Sequence, residues 1–102
     1  MGMLLPPPQY DVPSPVPVIE HVMSADELWK VCNRIIGPLY AKDGWTLYGC
    51  SSIWRIKKTK EILSCEIYLL DTLPEKYQDE NRHHEIGHCN GWPADHAGGI
   101  RR

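Results

Sequence analysis

The run that most constrains this chain is His84, Glu85, Ile86, Gly87, His88, which reads HEIGH and matches the HExxH signature. Residues four apart share a helix face, so a helix through this run lets two imidazoles grip one metal ion while Glu85, next in sequence, stands beside it. Zinc held by three protein ligands keeps a water in its fourth position and lowers that water's pKa to roughly 7. His84 and His88 are therefore the expected metal ligands, zinc (Zn2+) the expected cofactor and Glu85 the expected general base.

The continuation, CNGWPADH, says where that helix stops. Gly91 tolerates the left-handed conformation that ends helices, and Pro93 cannot continue one. The chain must turn back here and return Asp95 and His96 toward the metal. Either can supply the third ligand. His96 is preferred, because imidazole is zinc's commoner neutral partner and the longer turn gives it reach; Asp95 is the alternative. The two are adjacent and point apart, so one coordinates while the other supports it or faces solvent.

The chain has 102 residues, 42% hydrophobic and 24% charged, enough for one small domain. Pro6, Pro7, Pro8, Pro13, Pro15 and Pro17 crowd its start. They predict an extended polyproline-like tail over residues 1–18, a tether to some partner, and a folded domain over 19–102. A core of about 80 residues is marginal, so a bound metal or a disulfide would help to hold it. Cys32, Cys50, Cys65 and Cys89 include no CxxC pair, which argues against a zinc ribbon and against a thioredoxin-type motif. One or two disulfides in an oxidising compartment and four buried thiols both remain open. Cys89 lies about 100° round the helix from His88 and reads as core packing.

Net charge is −2 with His neutral. Arg55, Lys57, Lys58 and Lys60 read as a solvated strand face and turn, so no nucleic-acid partner is expected. No apolar run is long enough to span a membrane, and MGMLLPPPQ lacks the features of a signal peptide. Either the protein acts where it is made, or a targeting segment has been removed, as in a processed secreted form.

Ser24 as N-cap with Glu27 completing a capping box opens an amphipathic helix through Ile36, which Gly37 and Pro38 end. Strands are expected over 45–48, 52–58 and 62–70, the last two joined by a turn at Lys58 to Lys60. Thr72 or Asp71 caps, and Pro74 begins, a second helix over 75–90. The fold class is α+β: an N-terminal helix, a small two- or three-stranded antiparallel sheet and the C-terminal HExxH helix.

With the residues laid out in this way, the chain resembles a very small zincin, the HExxH class of zinc metallopeptidases. His84, Glu85, His88 and Gly91 fit the HExxHxxG start of metzincins, and GWPADH is similar to the turn of snapalysin-type bacterial proteases, whose third ligand is an aspartate. The similarity covers about 13 residues. It implies a catalytic core in which a helix and a twisted sheet flank the active-site helix. It also implies that the strand around Cys65 to Leu70, if at the sheet edge, aligns an extended peptide by backbone pairing. Two departures matter. The metzincin third-ligand position falls on Ala94, which cannot bind metal, and only six residues follow His96, so the methionine-containing turn and C-terminal subdomain are not expected.

The expected function is thus zinc-dependent hydrolysis of short or unstructured peptides, with Glu85 moving the proton and Tyr48 or Tyr68 a candidate oxyanion donor, though each tyrosine reads more simply as strand packing. The alternative is a non-catalytic zinc-binding accessory module. It needs a fourth protein ligand, from Asp95 together with His96, or from Cys89. His83, about 100° from His84, and His21 read as surface histidines.

Overall fold

The computed structural model describes residues 4–36 and 47–101. Its elements run β1 (Leu4–Leu5), β2 (Val18–Met23), α1 (Ala25–Ile36), β3 (Gly49–Arg55), β4 (Ile62–Leu70), α2 (Glu75–Cys89) and β5 (Ile100–Arg101). The main sheet has the order β2-β4-β3. β3 is antiparallel to β4, but β2 is parallel to it, with Val18 opposite Cys65 and Met23 opposite Leu70. The sheet is therefore mixed, which corrects the antiparallel expectation. Parallel neighbours need a long crossover, and here α1 and β3 intervene between β2 and β4. β2 escaped the sequence reading because its residues are exposed or half-buried along an edge, where alternation is weak.

Alternation along β4 divides the core in two. Cys65, Ile67 and Leu69 pack with Val18, Ile53, Ile86 and Cys89 on one face. Leu70 and Tyr68 pack with Leu28, Cys32 and Cys50 on the other. α1 covers one face and α2 the opposite one, giving three layers. Each helix is also bonded to the strand beneath it: Cys32 of α1 to Cys50 of β3, and Cys65 of β4 to Cys89 of α2. Closing loops of these lengths in the unfolded chain is worth about 3 kcal/mol apiece.

α2 needs that help, since its buried residues include Glu80, Asn81, Glu85 and Gly87 and few apolar groups. Directed hydrogen bonds replace burial. Asn81 Nδ2 donates to the Tyr48 carbonyl at 2.8 Å, and Gln78 Nε2 to the Leu70 carbonyl at 2.9 Å. Gly49 lets β3 come close, because a Cβ there would lie 2.6 Å from the Tyr68 carbonyl oxygen. At the other helix the Glu27 N–H donates to Ser24 Oγ at 3.3 Å, the cap that the sequence predicts. The β3–β4 turn closes between Ile56 and Glu61, with Lys60 left-handed at φ 65°. Gly37, Pro38, Trp45 and Thr46, on which the expected helix stop and part of the strand 45–48 fall, lie outside the described residues.

Residues 4–18 are not extended throughout: the chain turns after Pro7, whose carbonyl accepts the Tyr10 and Asp11 N–H groups at 2.9 and 3.1 Å, and the segment does not stand away from the domain. Leu5, Pro6 and Pro7 are buried, and β1 pairs antiparallel with β5. Prolines lose little conformational freedom on docking. β4, expected to offer an edge to an extended peptide, is the central strand. Among the described residues the edges are β2 and β3.

Candidate metal centre

α2 carries His84 and His88 and closes in a Schellman turn. The Trp92 N–H reaches the Gly87 carbonyl at 3.0 Å and the Gly91 N–H the His88 carbonyl at 3.1 Å, with Gly91 at φ 105°. The chain then folds back through a second turn, in which the His96 N–H donates to the Pro93 carbonyl at 2.9 Å. His96 itself adopts φ 60°, a region that non-glycine residues enter rarely.

That turn brings three imidazoles together. The Nε2 atoms of His84 and His88 are 3.3 Å apart, those of His88 and His96 3.2 Å, and those of His96 and His84 3.2 Å. Zinc with N ligands at 2.0–2.1 Å in tetrahedral geometry requires N–N separations of about 3.3–3.4 Å. The triangle already has that size. Among the described residues these three form the whole group, so a fourth tetrahedral position is left without a protein ligand. Asp95 turns away: it is exposed, and its Oδ1 accepts the Ala97 N–H at 3.1 Å.

The proton positions follow from the partners. Nδ1 of His84 contacts the Leu4 carbonyl oxygen at 2.6 Å, and Nδ1 of His88 the Trp92 carbonyl oxygen at 2.8 Å. A carbonyl only accepts, so both Nδ1 atoms carry hydrogen and both Nε2 atoms present lone pairs. Burial lowers the pKa of His84 to about 4; His88 and His96 add to this while the Leu4 hydrogen bond opposes it. Burial lowers His88 and His96 as well. At neutral pH the centre is a set of uncharged nitrogens close enough together to hold one metal ion.

Trp92 forms the base. It is buried, its indole stacks on His88 at 4.7 Å and meets His84 and His96 edge-on at 5.0 Å, and its Nε1–H donates to the Ala97 carbonyl at 3.0 Å. Glu85 points from α2 onto β3, its Oε2 3.1 Å from where a Gly49 Cβ would stand. Burial pushes its carboxyl up to about 8.

The other candidate residues lie elsewhere. Tyr48 and Tyr68 pack with the α1 cluster, across the sheet from α2, which removes both as oxyanion donors. The Tyr68 ring stacks on His21 at 4.8 Å, and His21 Nε2 meets Glu66 at 3.1 Å. His83 is exposed, with Nδ1 2.8 Å from Asp11. Cys89 is in its disulfide and cannot be a ligand.

Sequence reasoning missed Trp92, the Leu4 carbonyl and the contact between Pro6 and Gly87. One signal was present. Glycine in mid-helix costs about 1 kcal/mol relative to alanine, which makes sense where something must approach closely. A Cβ on Gly87 would lie 2.7 Å from both Cβ and Cγ of Pro6. Compared with protein-family models, with curated proteins and with solved structures, the chain finds no match in any of the three.

Proposed function

We propose that this protein is a zinc-dependent metallopeptidase acting on short or unstructured peptides. The observation that carries this reading is the triangle of three Nε2 atoms, 3.2 to 3.3 Å on a side, with no fourth ligand grouped with them among the described residues. Zinc in such a site supplies a water acidified to a pKa of roughly 7 and a Lewis acid for the scissile carbonyl.

The chain's own residues do the rest. The Leu4 and Trp92 carbonyls hold His84 and His88 in the tautomer that exposes Nε2. Trp92 closes the site from below. Glu85 would be the group that takes a proton from the attacking water on a carboxylate oxygen and passes it to the departing amine nitrogen. With β4 central, β3 is the strand beside Glu85 that supports pairing with an extended peptide.

A non-catalytic zinc staple is the weaker reading, because it requires a fourth protein ligand and two disulfides already fasten both helices. Two disulfides also support an oxidising compartment. The test is incubation of the zinc-loaded protein with a mixed peptide library beside a Glu85→Gln variant. Cleavage by the first and none by the second is expected. Turnover retained in the variant, or no cleavage by either, would remove the proposal.

A further inference from the structure

The two ligand-bearing parts of the centre, α2 and the loop 91–99, are both packed on one further segment, Leu4 to Val12. Leu4 touches each of them. Its carbonyl accepts the Nδ1 hydrogen of His84 at 2.6 Å. Its side chain lies 2.9 Å from where a Gly99 Cβ would stand, and the Gly99 N–H donates to the His96 carbonyl at 3.1 Å. Pro6 fits over Gly87, inside the HEIGH run, and Pro7 lies against Gly98. Beyond these contacts the segment is fastened at points that touch no imidazole of the triangle. Asn90 Nδ2 donates to the carbonyls of Tyr10 at 3.0 Å and Val12 at 2.7 Å, and Asp11 meets His83 at 2.8 Å. β1 and β5 close the ribbon behind.

We propose that the strap Leu4 to Val12 is a positioning element of the three-histidine centre, so that cation binding and strap docking reinforce one another. The inference rests on the three histidines being a zinc site. It does not require that the site cut peptides. The Leu4 carbonyl fixes the ring of His84, and the Leu4 and Pro7 side chains hold the loop that carries His96 against α2. Without the strap both ligands keep their elements but lose their mutual aim. Partners that orient a metal-bound histidine are worth roughly 10 to 100-fold in metal affinity. Coupling is reciprocal, so zinc must favour the docked strap by the factor by which the strap favours zinc. A partner that peels this proline-rich segment away would thereby unload the metal.

The test uses the full chain with Asp11→Ala and Asn90→Ala together, which loosens the strap at its far anchors. Zinc affinity is measured by competition with a chromophoric chelator, and strap docking by nuclear Overhauser contacts between Pro6 and Gly87, with hydrogen exchange of sheet amides as the control for general unfolding. In the wild type, zinc should strengthen the Pro6–Gly87 contacts. In the double variant zinc affinity should fall about tenfold or more while the sheet stays protected. A loosened strap with zinc affinity within twofold of wild type overturns the inference.

If the variant fails to fold, or its strap remains docked, a second measurement decides. A Leu4–Leu5 ester, introduced by ligating a synthetic segment 1–31 to residues 32–102 at Cys32, weakens the Leu4 carbonyl as an acceptor. Undiminished zinc affinity there overturns the inference; a clear loss supports it. Wild-type protein that binds zinc, loses it on loosening the strap and cuts no peptide would defeat the peptidase reading and leave the strap standing.

Discussion

Trp92 and His88 are joined twice, by a ring stack of 4.7 Å with planes 16° apart and by the Trp92 carbonyl, which accepts the His88 Nδ1 hydrogen at 2.8 Å. One residue thus sets both the plane and the tautomer of an imidazole in the triangle. The stack comes from the side chain and the hydrogen bond from the backbone, so substitution separates them.

Trp92→Leu keeps the carbonyl and removes the stack and the bond to Ala97. Zinc affinity should fall about tenfold. Because the indole lies within 5.0 Å of all three imidazoles, a bound Co2+ ion should quench part of the tryptophan fluorescence in the wild type. The variant should lose that quenching while the other tryptophans still emit. Equal quenching in both proteins would contradict the geometry.

The adjacent residues Asp95 and His96 separate cleanly. His96→Ala should weaken zinc binding by about a hundredfold or more, whereas Asp95→Ala should leave it within twofold. Calorimetric titration of each variant with zinc decides between them, and a reversed order would mean that the loop rearranges on binding.

The pH dependence of the metal-free protein has two limbs of opposite sign. His84 titrates ordinarily near 6.5 and in the fold at about 4, so the unfolded chain takes up a proton first; its contribution to stability is present above 6.5 and lost as pH falls toward 4. Glu85 titrates ordinarily near 4.5 and in the fold at about 8, so its contribution is fully present below 4.5 and lost as pH rises through 8. Glu85→Gln removes only the second limb. Thermal unfolding in the presence of a chelator should show the variant more stable than wild type at pH 8, with the difference largely gone at pH 4.5.

Gly49→Ala introduces a Cβ 2.6 Å from the Tyr68 carbonyl and 3.1 Å from Glu85 Oε2. The first neighbour is backbone and cannot rotate away. Strand β3 must shift, at a cost of about 1–3 kcal/mol, and Glu85 must move with it. Urea unfolding should show the loss of stability, and an unchanged midpoint would mean that β3 has slack which the packing does not suggest.

The parts of this molecule legible in its sequence are those governed by local chemistry. The cap at Ser24, the stop at Gly91 and the shared face of His84 and His88 each depend on a few neighbouring residues, and each appears in the fold. His96 is preferred to Asp95 on ligand chemistry and the reach of the turn; the left-handed backbone that brings it round, at a non-glycine residue, is not foreseen from sequence. Strand β2 was hidden because an edge strand with half-exposed residues carries little alternation, and its parallel pairing is decided by the distant β4. The tail was read from its prolines alone. What seats it is a pair of contacts, Pro6 on Gly87 and Leu4 on His84, between residues some 80 positions apart.

Four cysteines can be paired in three ways, and this fold uses the one in which each partner is the next cysteine along the chain, Cys32 with Cys50 and Cys65 with Cys89. The two loops neither overlap nor nest. During synthesis the first bridge can therefore close before the second pair has emerged, when no wrong partner yet exists, and the later pair meets only each other. This order of pairing gives the chain a route to its native crosslinks that needs no reshuffling.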